Sequence, residues 1–326
     1  MRVRCRVTAM LLAVVLGWTL WPTAPALAQD WPQGPVRFIL TLGPGSAADI
    51  AARLLADRLQ QRWGKAVVID NRPGGDGLVA ISAFLAANDD HTLIYAPTGS
   101  FTAHPYMYDN RAYDFDRDLM PIARVTNTVL ALGIPASMNI TSLADFFARA
   151  RAEPGKFNWA GVPGVTEFVF EGFLKSANIS MIKVPYRDIV QAAKDVGEGR
   201  VQIMMAAWAI LRPHEQSGRL KVLALNSAQP AAMAPGVPTA RQAGFPGLEF
   251  DGLIGLFGPK RMAAELRERI AVDVIAAASD PKIAERLAAS GQVVNPGGPA
   301  ELAASIKAQN AQVAAIAELI GIKRRP

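Results

Sequence analysis

Three short stretches hold residue types that could grip an anion. Gly43, Pro44, Gly45 and Ser46 turn an apolar run (36–42) into an amphipathic pattern that opens with Ala47, Ala48 and Asp49. Thr98, Gly99 and Ser100 follow a second apolar run, 92–96, and Gly161 to Thr166 (GVPGVT) separate a further apolar run from a further amphipathic one. The first turn of a helix has backbone N–H groups without partners and the positive end of the macrodipole, so a glycine-rich strand-to-helix turn offers a site to carboxylate or phosphate. Two such turns facing one cleft, built around Gly45 and around Gly161, Gly164, Val165 and Thr166, would hold one carboxylate from both sides. In a partly dry cleft such charge-assisted hydrogen bonds are stronger than in water. Thr98 and Ser100 add two hydroxyls and a flexible turn where open parallel sheets place their ligands. Asp49 also reads as a first-turn acid that stabilises its own helix by about 0.3–1 kcal/mol and shapes the loop only indirectly.

Other chemistries find less support. Gly43-x-Gly45-x-x-Ala48 after a strand, with Asp70 ending the next, matches a dinucleotide fingerprint. Asp49 would put a negative charge where the pyrophosphate docks, and export argues against a nicotinamide cofactor. His91, His104 and His214 stand in unrelated loop-like segments and read as surface residues. No Gly-x-Ser-x-Gly elbow occurs and no His/Glu cluster has metal spacing, so neither catalysis, nor a metal, nor a cofactor is expected. Trp159 and Trp208 close strand-like runs near the cleft, where a tryptophan serves either core packing or a ligand.

Compartment decides between carboxylate and phosphate. Arg2, Arg4 and Arg6, the apolar stretch 9–20 and Ala26-Leu27-Ala28 read as a cleaved secretory signal over residues 1–28, with Pro22 and Pro25 closing the apolar run too early for a span. The one cysteine, Cys5, would leave with it. Thiolate metal sites and cysteine nucleophiles are thereby excluded from the mature chain. The formal charge of +6 would fall to +3, because the signal carries three arginines and no acid. No basic stripe with interleaved aromatics suggests nucleic acid, and Lys323-Arg324-Arg325 reads as a solvated tail. A nearly neutral periplasmic protein that recognises a small molecule fits this composition.

Positioning such turns needs an α/β frame. Strand-like runs at 36–42, 66–70 and 92–96 alternate with helical patterns at 47–62 and 78–87. After Pro135 the alternation resumes, with helices at 143–152, 166–176 and 189–198 and strands at 157–160, 182–185, 203–206 and 222–226. The apolar segments 123–134 and 250–257 bracket the second run like paired crossovers, and everything after Lys260 reads as two or three helices. The resulting expectation is a two-lobed α/β protein, each lobe a mostly parallel sheet flanked by helices, with a two-strand hinge. Residues 29–128 and 252–326 would form a discontinuous first lobe and 129–251 the second.

The chain resembles the substrate-binding proteins of the tripartite tricarboxylate transporter system, the Bug-type periplasmic receptors, from Pro32 to about Ile322. The resemblance rests on several motifs. They are WPQGPVRFIL, the Gly45-x-x-x-Asp49 turn, Asn71-Arg72-Pro73-Gly74 with Gly75 and Gly77, and YDFDRD before Pro121-Ile122-Ala123. Val184-Pro185-Tyr186-Arg187, Val237-Pro238-Thr239 and Ala243-Gly244-Phe245-Pro246-Gly247 complete them. It implies a type II-like binding protein that closes on a small carboxylate and delivers it to one large and one small integral membrane subunit. It further implies that loops 41–48, 98–100 and 161–166 hold one carboxylate through backbone groups and water. This chain departs from the pattern at Gly164-Val165-Thr166-Glu167-Phe168 and at Ala206-Ala207-Trp208, where the family often carries polar groups. Phe168, Ala206 and Trp208 therefore predict an apolar mid-cleft, and a dicarboxylate with an apolar spacer rather than an amino acid. Arg187 is the candidate for the distal carboxylate, and a monomer is expected. The alternatives are an exported α/β hydrolase and a receptor that feeds a sensor partner.

Overall fold

The computed structural model describes residues 31–109 and 111–323; the expected signal segment, Cys5 and the terminal arginines lie outside the described residues. The architecture belongs to the unit that begins at Gly34.

In the first half, β1 (Val36–Leu40), α1 (Ala47–Trp63), β2 (Val67–Asn71), α2 (Leu78–Ala87), β3 (Thr92–Pro97), α3 (Thr98–Met107), the short α4 (Phe115–Asp118) and β4 (Leu119–Thr128) follow in order. The chain then enters a second sheet through β5 (Leu130–Pro135), α5 (Leu143–Ala152), β6 (Asn158–Gly161), α6 (Val165–Ser176), β7 (Ile182–Pro185), α7 (Ile189–Gly197), β8 (Ile203–Ala207), α8 (Trp208–Gln216) and β9 (Leu220–Leu225). It returns through β10 (Gly252–Pro259), α9 (Ala264–Ala278), α10 (Pro281–Ala289), β11 (Gln292–Gly297) and α11 (Pro299–Ile320). No helix among the described residues is long and apolar enough to cross a membrane.

Two mixed sheets result, with strand orders β11-β4-β10-β3-β1-β2 and β7-β6-β8-β5-β9. The β-α-β runs make the parallel parts, β2-β1-β3 and β7-β6-β8. The strands that carry the chain between sheets pair antiparallel, β10 with β3 and β4, and β5 with β8 and β9. The antiparallel share is thus larger than a strict β-α-β alternation suggests, because each crossover strand runs back against its own lobe. The three sequence-predicted turns follow the C-terminal ends of β1, β3 and β6.

Three elements depart from the sequence pattern. Thr98, Gly99 and Ser100 are not a flexible turn but the first turn of α3, which tolerates Pro105 near its end. Trp208 opens a second helix with an internal proline, Pro213. A proline and a glycine inside a short segment argue against helix by propensity, and tertiary packing overrides them here. The strand β11 was hidden by Pro296; it lies at the sheet edge, where proline is tolerated, and its register slips between Val294 and Gly297.

The last helix joins the lobes. Its buried residues, Leu302, Ile306, Gln309, Val313 and Ala317, recur at helical spacing on one face. Leu302 and Ile306 enter the core of the first sheet with Ile39, Phe84 and Phe257, whereas Val313 and Ala317 enter the core of the second with Phe147, Phe170 and Phe173. The second half of α11 therefore packs against the core of the second sheet.

Candidate functional site

The first turn is built by a network around Asp49. Its carboxylate is buried and accepts from the Gly45 amide (3.0 Å), the Asn71 side chain (2.9 Å) and Arg53 in bidentate fashion (3.0 and 2.9 Å). Asn71 also donates to the Leu42 carbonyl, which ties the end of β2 to the loop after β1. Burial alone would push the Asp49 carboxyl up, but the hydrogen bonds from Arg53, Gly45 and Asn71 outweigh it and hold its pKa below the ordinary value. Ser46 caps α1 by accepting from the Asp49 amide (3.2 Å). These bonds give Asp49 a structural role in the loop. It shapes the loop, and by engaging the Gly45 N–H it leaves the amides of Ala47 and Ala48 as the ones without an acceptor among the described residues. Gly43 and Ser46 are half-buried, and Pro44 and Gly45 are exposed.

The other two turns meet directly. A Cβ on Gly99 would stand 2.6 Å from Val165 Cγ1, so the first turns of α3 and α6, one from each lobe, touch, and glycine is what permits the approach. Gly164 caps α6 with its φ at 141°, a conformation that favours glycine, and its carbonyl accepts from the Glu167 and Phe168 amides. The amides of Val165 and Thr166 have no acceptor among the described residues, nor do those of Gly99 and Ser100. Thr98 is not available to a ligand. It is fully buried, and its hydroxyl bonds to Gln309 of α11 and to the Leu253 carbonyl.

Sequence reasoning missed the residue that reaches furthest into this junction. Residues 74–77 all have positive φ (129°, 55°, 52° and 94°), and the third of them is Asp76 rather than glycine. Its carboxylate accepts from Ser100 (3.4 Å) and contacts His104 Nε2 (3.1 Å), and Oδ1 would lie 3.9 Å from a Cβ on Gly164 of the opposite lobe. His104, expected at the surface, is completely buried on α3, with Nδ1 2.7 Å from the Tyr113 hydroxyl. The signal was present as an Asp inside a glycine run followed at a distance by a His, but only folding brings positions 76 and 104 together. An aspartate in the left-handed region is tolerated better than most side chains, because it can hydrogen-bond locally.

The remaining candidates divide. Phe168 does not offer an open cleft surface: its ring is buried in the core of the second lobe and faces Tyr106 of α3 at 6.4 Å. Trp159 is likewise core, packed on Phe170. Ala206 is buried in β8. Trp208 begins α8 beneath Arg212, and its buried indole N–H has no acceptor among the described residues. Thr41, at the end of β1, has a buried hydroxyl in the same condition. Arg187 is exposed just after β7, the strand paired with β6, and has no ion-pair or hydrogen-bond partner among the described residues. Gly161 borders this edge, covered by the stem of Lys183, which pairs with Glu167 and Glu171. Asp70, the residue a dinucleotide ribose would need, is held instead by Arg72 at 3.0 Å.

Helix starts from two lobes thus bring amides without acceptors among the described residues to one junction. Residues 51–322 match the family model described as the tripartite tricarboxylate transporter family receptor. A UPF0065 protein of Bordetella bronchiseptica is 30% identical over 315 residues, covering 96% of this chain and 93% of that protein. Protein BugT of Bordetella pertussis is 27% identical over 241 residues, covering 73% and 74%. Among solved structures, R. palustris Rpa4515 with adipate superposes with a TM-score of 0.80 at 26% identity, over 90% of this chain and 99% of that one. With its two-lobed α/β fold, the chain belongs to the tripartite tricarboxylate transporter family of Bug-type receptors, periplasmic solute-binding proteins.

Proposed function

We propose that this chain binds a small dicarboxylate with an apolar spacer in the periplasm, after cleavage of residues 1–28, and delivers it to the large and small membrane subunits of a tripartite tricarboxylate-type transporter. In this reading the protein acts as a monomer whose lobes, residues 29–128 with 252–326 and residues 129–251, close about the two crossover segments. The observation that carries it is the convergence of unpaired first-turn amides from both lobes, with Gly99 and Val165 in contact. Ala47 and Ala48 extend this donor set on the first lobe. Such donors favour a carboxylate without committing a cationic side chain to it. Arg187, exposed and unpaired beyond the β6–β7 edge, is the candidate for the second carboxylate.

The apolar spacer is supported by the adipate bound to the R. palustris relative and by Ala206 and Trp208 at the end of β8. Each buried methylene contributes about 0.8 kcal/mol, so each one that fits should tighten binding roughly three- to fourfold. A hydroxyl on the spacer would lose water without gaining a partner. Calorimetric titration of succinate, adipate, terephthalate, malate and citrate tests this. Adipate or terephthalate should bind most tightly, and tighter binding of malate or citrate would refute the spacer reading. Arg187→Ala should weaken the best ligand about tenfold, the usual worth of one charge-assisted contact. Unchanged affinity would move the distal contact elsewhere.

A further inference from the structure

A cavity lies behind the start of α3, where the crossover segments and α11 meet. It has a volume of about 380 Å3 and is lined by Arg124 and Asn127 on β4, Asp251 on the return crossing, Asn295 on β11, and Gln309 and Gln312 on α11. That volume is in the range of small-molecule sites.

Two opposite charges line it without pairing. Arg124 is half-buried and donates from Nε to the Asn295 carbonyl (3.1 Å) and from Nη1 to Ser305 (3.1 Å). These bonds use two of the five guanidinium N–H donors, and among the described residues no carboxylate lies within ion-pair distance. In the same lining, the Asp251 carboxylate accepts only a long bond from the Ala228 amide (3.4 Å). Burial pushes its pKa above the ordinary value, with the Arg124 charge acting in the opposite sense. The amides that surround these charges are oriented by the frame: Gln309 donates to the Asp251 carbonyl, Gln312 to the Glu249 carbonyl, and Asn295 to Asn127. The neighbouring Arg241 is already satisfied by Glu249. An unpaired cation and an unpaired anion lining one polar cavity match a ligand that carries both charges, since a singly charged ligand would leave one of them unanswered.

We infer that this hinge cavity is a second binding site for a small amino carboxylate, with Arg124 receiving its carboxylate and Asp251 its ammonium group. Because its walls come from both crossover segments and from the helix that spans both lobes, occupation would favour one setting of the hinge and so couple to the cleft.

The test is calorimetric titration of glycine, 4-aminobutyrate and 6-aminohexanoate, with acetate and methylammonium as single-charge controls, into the free and the adipate-saturated chain. At least one amino carboxylate should bind in both conditions and exceed both controls by about tenfold or more. Asp251→Asn preserves shape and should weaken that binding about tenfold, as should Arg124→Gln, whereas Arg124→Lys, which keeps the charge, should restore most of it. Absence of binding by the whole series at about 10 mM would overturn the proposal, as would undiminished binding in both Asp251→Asn and Arg124→Gln. Loss of binding on adipate saturation would overturn it too, by placing the ligand in the cleft. A failure of adipate to bind would count against the dicarboxylate reading alone, because the variants would still decide this one.

Discussion

At the scale of single residues, the loops are held in shape by carboxylates bonded to their own frame. Asp49 spends its carboxylate on Gly45, Asn71 and Arg53, and Asp76 spends part of its own on Ser100 and His104. Gly45 has φ at 81°, yet a Cβ there would meet nothing within 4 Å. A side chain at position 45 would therefore act through backbone strain. Gly45→Val should destabilise the fold by about 1–2 kcal/mol, read from chemical denaturation, and should abolish carboxylate binding by distorting the turn. Full affinity in the folded variant would place the site elsewhere. The lowered pKa of Asp49 has a sign that can be checked. In the unfolded chain an aspartate takes up its proton near pH 3.9, whereas the folded state resists protonation to a lower pH. The stability Asp49 contributes is thus present above about pH 4 and is lost as the pH falls from there through the folded-state pKa. Denaturation curves from pH 6 to 2.5 should show a shallower acid loss for Asp49→Asn than for the parent chain; parallel curves would contradict the assignment.

At the scale of elements, α6 and α11 show how close packing substitutes for a covalent tie between lobes. A Cβ on Gly172 of α6 would stand 2.7 Å from Ile316 Cγ2 of α11, so the helices approach as closely as they do because position 172 has no side chain. Gly172→Val should overpack this contact and cost about 1–3 kcal/mol, measured as a lowered denaturation midpoint at unchanged m-value. A midpoint equal to that of the parent would mean the helices separate freely. Along α11 the stripe Leu302, Ile306, Val313 and Ala317 is interrupted by Gln309, which lies where the helix leaves one core for the other. Gln309 bonds to the Thr98 hydroxyl and the Asp251 carbonyl, and an apolar residue there would forfeit both bonds in a buried place.

At the scale of the molecule, two crossover segments and one long helix connect the lobes, so relative motion is confined to a bend about that bundle. Closure on a ligand should lower the radius of gyration in solution scattering when a saturating dicarboxylate is added. An unchanged radius would rule out closure as the binding step. Periplasmic delivery also implies that the exported protein begins after residue 28, which N-terminal sequencing of protein recovered from the periplasm would test.

Most of the architecture was legible from local pattern. Strand and helix periodicity, the glycine-rich turns at 43–46 and 161–164 and the two crossover segments are short-range properties of a chain, and they placed the two sheets and the starts of α1 and α6. The sequence likewise carried the family, through motifs spread over the whole length. What it could not carry was contact between distant positions. Thr98 is withdrawn from the cleft by Gln309, which follows it by 211 residues, and His104 is taken from the expected surface into the interior by Asp76 and Tyr113. Phe168 went to a core rather than a cleft because α3 and α6 pack across the lobes, and α3 itself formed against the propensities of Gly99 and Pro105. Periodicity specifies which face of an element is apolar, but which element covers that face is decided by the global minimum of packing and polar satisfaction, and only the tertiary structure expresses it.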